Sequence, residues 1–154
     1  MKPKLIHQLI LPVVLLINVL SAGEDHKGYF TSEFKTAQEV TQACLECHED
    51  AAKGVMQTVH WTWDMVPAHQ SSFADSLRLG KKNVINNYCI AVESNWPRCT
   101  SCHVGYGWQD ESFDFSDEKN VDCLVCHDQT GLYKKSPAGA GMPAEGVDLL
   151  AVAQ

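Results

Sequence analysis

The sequence predicts a mainly α-helical chain with long loops, in which short helices wrap around closely packed cofactors. A pentapeptide of the form C-x-x-C-H occurs three times, at residues 44–48, 99–103 and 123–127. The 131 residues that follow an N-terminal export segment are too few to bury a large core of their own. We therefore expect bound groups to form much of the interior, with sparse secondary structure around them.

C-x-x-C-H is the attachment motif of c-type haem. Two thiols two residues apart can form thioethers with the two vinyl groups on one edge of a porphyrin, and the next histidine can bind the iron. The motifs therefore predict three covalently attached haem c groups and a multihaem cytochrome c architecture. The predicted attachment residues are Cys44, Cys47, Cys99, Cys102, Cys123 and Cys126, and the predicted axial ligands are His48, His103 and His127.

Zinc is the main alternative to haem. The pairs Cys99/Cys102 and Cys123/Cys126 also match the spacing of a zinc site. A zinc ribbon needs no histidine after each pair, however, and it leaves the first motif unexplained. A thioredoxin-like dithiol is a still weaker alternative. Haem accounts for all three copies and is the preferred interpretation.

The N-terminus, residues 1–23, is typical of a secretory signal peptide. Lys2 and Lys4 precede the apolar run from Leu9 to Leu20, and small residues follow at 21–23. Twelve residues are too few to span a bilayer comfortably, so we expect cleavage and a periplasmic protein, with an uncleaved anchor as the alternative. Residues 24–154 then form one three-haem region.

The exported chain is acidic. Loss of Lys2 and Lys4 takes its formal net charge from −7 to −9. An acidic surface argues against nucleic acid as a partner and favours a basic redox partner protein or a solubilising anionic shell.

Three histidines of the exported chain lie outside the motifs: His26, His60 and His69. They would suffice to give every haem a second imidazole. Haems with two histidine ligands are saturated and serve electron transfer, whereas a catalytic haem needs an open site. Each of these histidines also has a simpler interpretation as a solvated or hydrogen-bonded loop residue.

Local signals predict several elements. Thr36 and Glu39 form a capping box that begins a helix leading into the first motif. Asn120 is the expected cap of a helix over 121–128, with Gly131 as its stop. Residues 134–146 are expected to form a linker, and an apolar helix follows from Val147. Because only 24 residues separate the second and third motifs, their haems are expected to be neighbours.

Cys89 is the one cysteine outside the motifs. It lies in the apolar run 88–92, so its simplest interpretation is an inert buried thiol.

Longer runs of the sequence resemble the octahaem tetrathionate reductase family of multihaem cytochromes. The runs are residues 43–48, 60–63, 81–90, 98–108 and 120–128. The resemblance implies an eight-haem enzyme, related to multihaem nitrite reductases and hydroxylamine oxidoreductases, that acts on small sulfur or nitrogen oxo-compounds. This chain, with three motifs, would be its N-terminal part.

The same resemblance implies a catalytic haem with lysine as an axial ligand and a cysteine near its open face. On this match Cys89 takes the place of that cysteine, the catalytic haem is carried by Cys99 and Cys102, and the lysine lies beyond Gln154. The implied partners are a redox partner protein or quinol dehydrogenase and a small inorganic oxo-anion substrate, with a homo-oligomer as a further option. The alternative function is a small electron-transfer cytochrome without catalytic activity.

Overall fold

The structure is a computed structural model that describes residues 26–66, 77–86 and 89–154. The predicted signal peptide and His69 lie outside these ranges. The helices are α1 Ala37–Leu45, α2 Ala51–Met56, α3 Val59–Thr62, α4 Trp96–Cys99, α5 Leu124–His127 and α6 Leu149–Ala153. Short 3-10 turns cover His26–Gly28, Val92–Ser94, Thr100–Cys102 and Glu118–Asn120.

Long loops join these helices. Within the described ranges β-structure is limited to three isolated bridges, Met65 with Leu79, Gly105 with Val121 and Lys135 with Pro143. The prediction of a mainly α chain with short helices and long loops is confirmed. None of the helices in these ranges is long and apolar enough to cross a membrane.

Helix α1 begins at the predicted capping box. Thr36 Oγ1 accepts the Glu39 backbone N–H at 3.2 Å, and the Glu39 carboxylate accepts the Thr36 N–H at 3.3 Å. These two bonds satisfy backbone donors that the first helical turn leaves without partners. The helix then buries Val40 and Thr41 and runs directly into the first motif.

Within the part of the chain that the structure describes, three small apolar clusters take the place of a single large core. The first joins Val40, Leu124 and Val152, the second joins Ala52, Trp61 and Val121, and the third joins Trp63, Val92 and Trp108. The first cysteine of each motif packs on one of them: Cys44 on the first, Cys123 on the second and Cys99 on the third. The clusters therefore fix the three motifs in space.

The helix of the third motif begins later than predicted. Val121 is extended and forms the bridge with Gly105, and Asp122 donates its backbone N–H to Val104 O at 3.0 Å. Asp122 instead supplies a cap, because its Oδ1 accepts the Val125 N–H at 3.0 Å. The prediction of a helix over 121–128 capped by Asn120 is wrong, since extended pairing uses these backbone groups. Helix α5 ends at His127, ahead of Gly131.

The prediction of a linker at residues 134–146 is also wrong. Ala140 is fully buried, and its carbonyl accepts the N–H groups of Gly107 at 2.9 Å and Trp108 at 3.1 Å. Its own N–H donates to Pro97 O at 2.9 Å. Gly141 has a φ of +85°, and a Cβ there would collide with the Gly105 carbonyl oxygen. This glycine-rich segment therefore packs against the second motif, and its composition reflects close backbone approach.

Candidate haem centres

The three motifs share one arrangement of thiols. The first cysteine of each, Cys44, Cys99 or Cys123, is half-buried on a cluster, and the second, Cys47, Cys102 or Cys126, is exposed. One thiol is thus anchored to the fold while its partner faces outward. This arrangement suits attachment of a flat group across each motif, because both sulfurs are held on one short turn.

The first and third motifs also share their backbone geometry. His48 N donates to Cys44 O at 3.0 Å, and His127 N donates to Cys123 O at 3.1 Å. Both imidazoles are exposed. At these two motifs the thiols and the following histidine are all available, so the residues fit a covalently attached haem with an imidazole ligand.

His26 lies opposite His48. Their ring centroids are 6.3 Å apart, and the ring planes differ by 66°. Two metal–imidazole bonds of about 2 Å, together with half the width of each ring, also add up to about 6 Å. The spacing therefore fits two imidazoles on opposite sides of one metal ion. His26 is held in a 3-10 turn whose carbonyl accepts the Tyr29 and Phe30 N–H groups, and Phe30 stacks on its ring at 5.8 Å.

The second motif departs from this pattern at its histidine. His103 is fully buried, and its Nε2 lies 2.7 Å from Trp61 O. A carbonyl only accepts, so Nε2 carries the proton and donates. Burial, and then the charges of Lys135 and Lys82, lower the pKa of His103 to about 4, which keeps the ring neutral. Within the described ranges its Nδ1 has no hydrogen-bond partner.

Aromatic side chains enclose this imidazole. The ring centroids of five neighbours lie between 4.9 and 6.1 Å from that of His103: Trp61, Trp63, Trp108, Phe113 and Phe115. Gly105 closes the remaining side, where a Cβ would lie 2.9 Å from His103 Nδ1. The Cys99 and Cys102 thiols fit haem attachment, but this histidine does not fit the role of an axial ligand in the conformation observed.

A buried polar network lies between the second and third motifs. The Asp122 carboxylate accepts the hydroxyls of Tyr106 at 2.9 Å and Tyr133 at 2.8 Å, and it pairs with Lys135 Nζ at 2.9 Å. Lys135 Nζ also donates to His103 O. Burial, and then the charge of Asp122, raise the pKa of both tyrosines, so they stay protonated and donate.

No motif in the sequence singles out this network. An isolated Asp, Lys and two tyrosines have no spacing that reveals their partnership. The one available signal was an aspartate directly before the first cysteine of a haem motif. The network satisfies a fully buried carboxylate. It also ties the second motif, through the bond from Lys135 Nζ to His103 O, to Asp122 just before helix α5.

The remaining candidates are placed as follows. His60 is exposed on α3, and no contact joins it to a motif histidine within the described ranges. Cys89 is exposed, which contradicts its interpretation as a buried thiol. Its φ of 57° is left-handed, a strained conformation for a residue with a side chain. Three residues later Val92 is buried in the cluster that holds Cys99, which places the Cys89 segment beside the second motif.

The zinc alternative gains no geometric support. Across 26–66, 77–86 and 89–154, no three or more His, Cys, Asp or Glu side chains converge in a way that could hold a metal ion. Cys99 and Cys123, one from each pair, pack on separate clusters. Haem needs no such convergence, because each motif can act alone.

Comparisons with known proteins give one strong likeness. No known protein-family profile matches the chain. An uncharacterized protein of Archaeoglobus fulgidus is 22% identical over 147 residues, covering 75% of this chain and 49% of that protein. The crystal structure of an octaheme cytochrome c from Shewanella oneidensis is 51% identical with a TM-score of 0.76, covering 85% of this chain and 29% of that one.

The chain thus spans about half the length of the first relative and under a third of the second. The likeness to the octaheme cytochrome accounts for both the short-helix fold and the three C-x-x-C-H motifs. The chain has the fold and the attachment motifs of a multihaem c-type cytochrome.

Proposed function

We propose that this chain is the N-terminal, three-haem part of a periplasmic reductase of small sulfur or nitrogen oxo-compounds, similar to tetrathionate reductase. Haem supplies one-electron redox chemistry when it is bound. The observation that carries the proposal is the contrast between two motifs. The first has two imidazoles at ligand spacing, whereas the second has its own histidine withdrawn into the core.

The first site is built for electron transfer. Cys44 and Cys47 would hold the haem, with His48 and His26 as its two protein ligands. Two imidazoles saturate an iron and leave no position for a substrate. The third site would use Cys123, Cys126 and His127 in the same way, with its second ligand drawn from the remaining histidines.

The second site is the candidate for catalysis. Cys99 and Cys102 would hold the haem, but His103 Nε2 is committed to the Trp61 carbonyl. The iron would then need another protein ligand. The family resemblance implies a lysine beyond Gln154 in that role, and a different ligand on one face is compatible with an open position on the other.

Cys89 is the candidate catalytic residue of this site. Its thiol is exposed, and its segment leads into the cluster that anchors Cys99. An exposed thiol beside an open site can exchange with a sulfur substrate through its thiolate form. The acidic character of the chain suits a basic redox partner.

The test uses the full-length protein that contains this chain, matured with haem and chemically reduced. Tetrathionate, nitrite and hydroxylamine are added in turn, and reoxidation is followed by the haem absorbance. A reductase reoxidises rapidly with at least one of them, and Cys89→Ser slows that reaction while the exposed Ser94→Ala in the same segment does not. Reoxidation no faster than without substrate would support the alternative, an electron-transfer cytochrome.

A further inference from the structure

Lys81 and Lys82 lie against the aromatic side chains that enclose His103. Lys81 Nζ is 4.3 Å from the ring centroid of Trp63, and Lys82 Nζ is 4.4 Å from that of Phe115. Both rings are neighbours of the His103 imidazole. A ring face attracts an ammonium group but carries no net charge, so it holds the cation in place without neutralising it. The two lysines therefore present fixed positive charges beside the second motif.

Neither lysine has a carboxylate partner within the part of the chain that the structure describes. The ion pairs of that part use the other basic side chains Lys53, Arg78, Lys119 and Lys135. The charge of Lys82 acts on His103, where it adds to burial and to the charge of Lys135 in lowering the pKa of the imidazole. In a chain of formal net charge −7, two adjacent cations without carboxylate partners create a local positive potential at this motif.

A tight turn fixes the lysine pair on Trp63. Lys82 N donates to Trp63 O at 3.2 Å, and Asn83 N donates to Gly80 O at 3.1 Å. A Cβ at Gly80 would collide with Trp63 O, so the turn needs glycine in order to approach the tryptophan backbone this closely. The backbone of the turn is thus held by the same residue whose ring carries Lys81.

The same turn is joined to Cys89. Asn86 Nδ2 donates to Lys81 O at 3.0 Å, and the Asn86 carbonyl accepts the Cys89 N–H at 3.1 Å. Asn86 N also donates to Ile90 O at 2.8 Å. Asn86 therefore links the lysine pair to the exposed thiol that the proposed function assigns to catalysis.

An open cleft lies beside Lys81. It has a volume of about 280 Å³, and its wall includes Trp63, Asp64 and Lys81. The Asp64 carboxylate is paired with Arg78, whose Nε donates to Asp64 Oδ1 at 2.7 Å. Because Arg78 compensates the charge of Asp64, the lysine decides the sign of the charge in the cleft. The cleft therefore suits a small anion.

We propose that Lys81 and Lys82 form an anion-binding site at the entrance to the second haem site, which draws the oxo-anion substrate toward Cys89. This inference rests on the proposed function, which supplies the class of anion. A lysine ammonium binds an oxygen acceptor as a point charge with three rotatable donors, so it imposes no strict geometry on the ligand. The site accepts sulfur and nitrogen oxo-anions alike and does nothing for an uncharged substrate.

A charge-matched pair of variants tests the proposal in the full-length, haem-loaded protein. The double variant Lys81→Gln/Lys82→Gln removes the proposed site. The control, Lys35→Gln/Lys134→Gln, removes the same net charge from two exposed lysines elsewhere. Reoxidation of the reduced protein is measured with the anions tetrathionate and nitrite, and with hydroxylamine, which is uncharged at neutral pH.

We expect KM for the anions to rise about 10-fold in the first variant, with kcat and the hydroxylamine reaction unchanged. The control should leave all three reactions unchanged. An equal rise in both variants, or an equal effect on hydroxylamine, overturns the anion site. A shifted haem reduction potential with unchanged KM also overturns it, because the lysines would then bind the haem propionates.

A measurement without turnover separates this proposal from the proposed function and needs no variant. Acetic anhydride acetylates exposed lysines of the oxidised, haem-loaded protein, and mass spectrometry gives the extent at each position. Thiosulfate should slow the acetylation of Lys81 and Lys82 but not that of Lys134, and chloride at the same ionic strength should protect none of them. Protection without reoxidation by any substrate overturns the proposed function alone. Rapid reoxidation without protection overturns the anion site alone, and the absence of both overturns both.

Discussion

His26 and His48 face each other with 6.3 Å between their ring centroids and 66° between their ring planes. The two residues belong to different segments, an N-terminal arm and the end of the first motif. Contacts with other parts of the chain hold the arm in place. Gln154 Nε2 donates to Phe30 O at 2.9 Å, and Phe34 packs on the cluster of Val40. The pairing thus depends on helix α6 as well as on the motif.

Replacing His26 by Ala should convert one low-spin haem to high-spin, since the first iron would lose one of its two imidazoles. Absorption and electron paramagnetic resonance spectra of the haem-loaded protein measure the change. Glu33→Ala, an exposed substitution on the same arm, is the control. A high-spin signal in His26→Ala no larger than that of the unaltered protein would show that His26 is not a ligand.

His103 and His127 occupy the same position of their motifs but should respond differently to substitution. His127→Ala removes an exposed ligand and should alter the haem spectrum. His103→Ala removes the hydrogen bond to Trp61 O and leaves a void among five aromatic rings, so we expect a loss of about 2–4 kcal/mol in the free energy of unfolding. Its haem spectrum should stay unchanged. Equal spectral changes in the two variants would mean that His103 binds iron.

Two adjacent lysines allow a buried ion pair to be compared with a surface charge. Lys135 pairs with fully buried Asp122, whereas Lys134 is exposed. Lys135→Ala leaves an uncompensated buried carboxylate and should lower the free energy of unfolding by about 3–5 kcal/mol. Lys134→Ala should change it by about 0.5 kcal/mol or less. Thermal unfolding of both variants measures the difference. Similar losses of stability in the two variants would show that the ion pair of Lys135 with Asp122 does not stabilise the fold.

Sequence reasoning succeeded where the signal is local. The capping box of Thr36 and Glu39 needs only residues within one turn, and the structure contains it as predicted. The C-x-x-C-H spacing is likewise a local chemical requirement. The predicted cap at Asn120 failed because Val121 and Asp122 pair with the backbone of residues 104–105, which are remote in sequence.

The composition of residues 134–146 led to the wrong prediction of a linker, again because long-range contacts decide the structure. Glycine and proline are typical of linkers, and they are also typical of backbones that approach closely. Residues 134–146 belong to the second class, as the buried Ala140 and the contact of Gly141 with Gly105 show. The burial of His103 and the placement of His26 opposite His48 depend on long-range packing, so no local pattern predicts them.

The exposure of Cys89 leads to a labelling prediction. Once the six motif thiols are thioethers, Cys89 is the one free thiol of this chain. A maleimide should label it without denaturant, on the tryptic peptide 83–98. If Cys89 faces an open haem, labelling should also change that haem's spectrum. Labelling that requires unfolding would return Cys89 to the class of buried thiols.

Peptide mapping of the haem-loaded protein tests the central claim most directly. Trypsin separates the motifs, because Lys35, Lys53, Arg98, Lys119 and Lys134 place them in peptides 36–53, 99–119 and 120–134. The account predicts one haem attached through two thioethers on each of these three peptides, including 99–119, whose histidine is buried. Unmodified cysteines on these peptides, or zinc in place of haem in the purified protein, would contradict it.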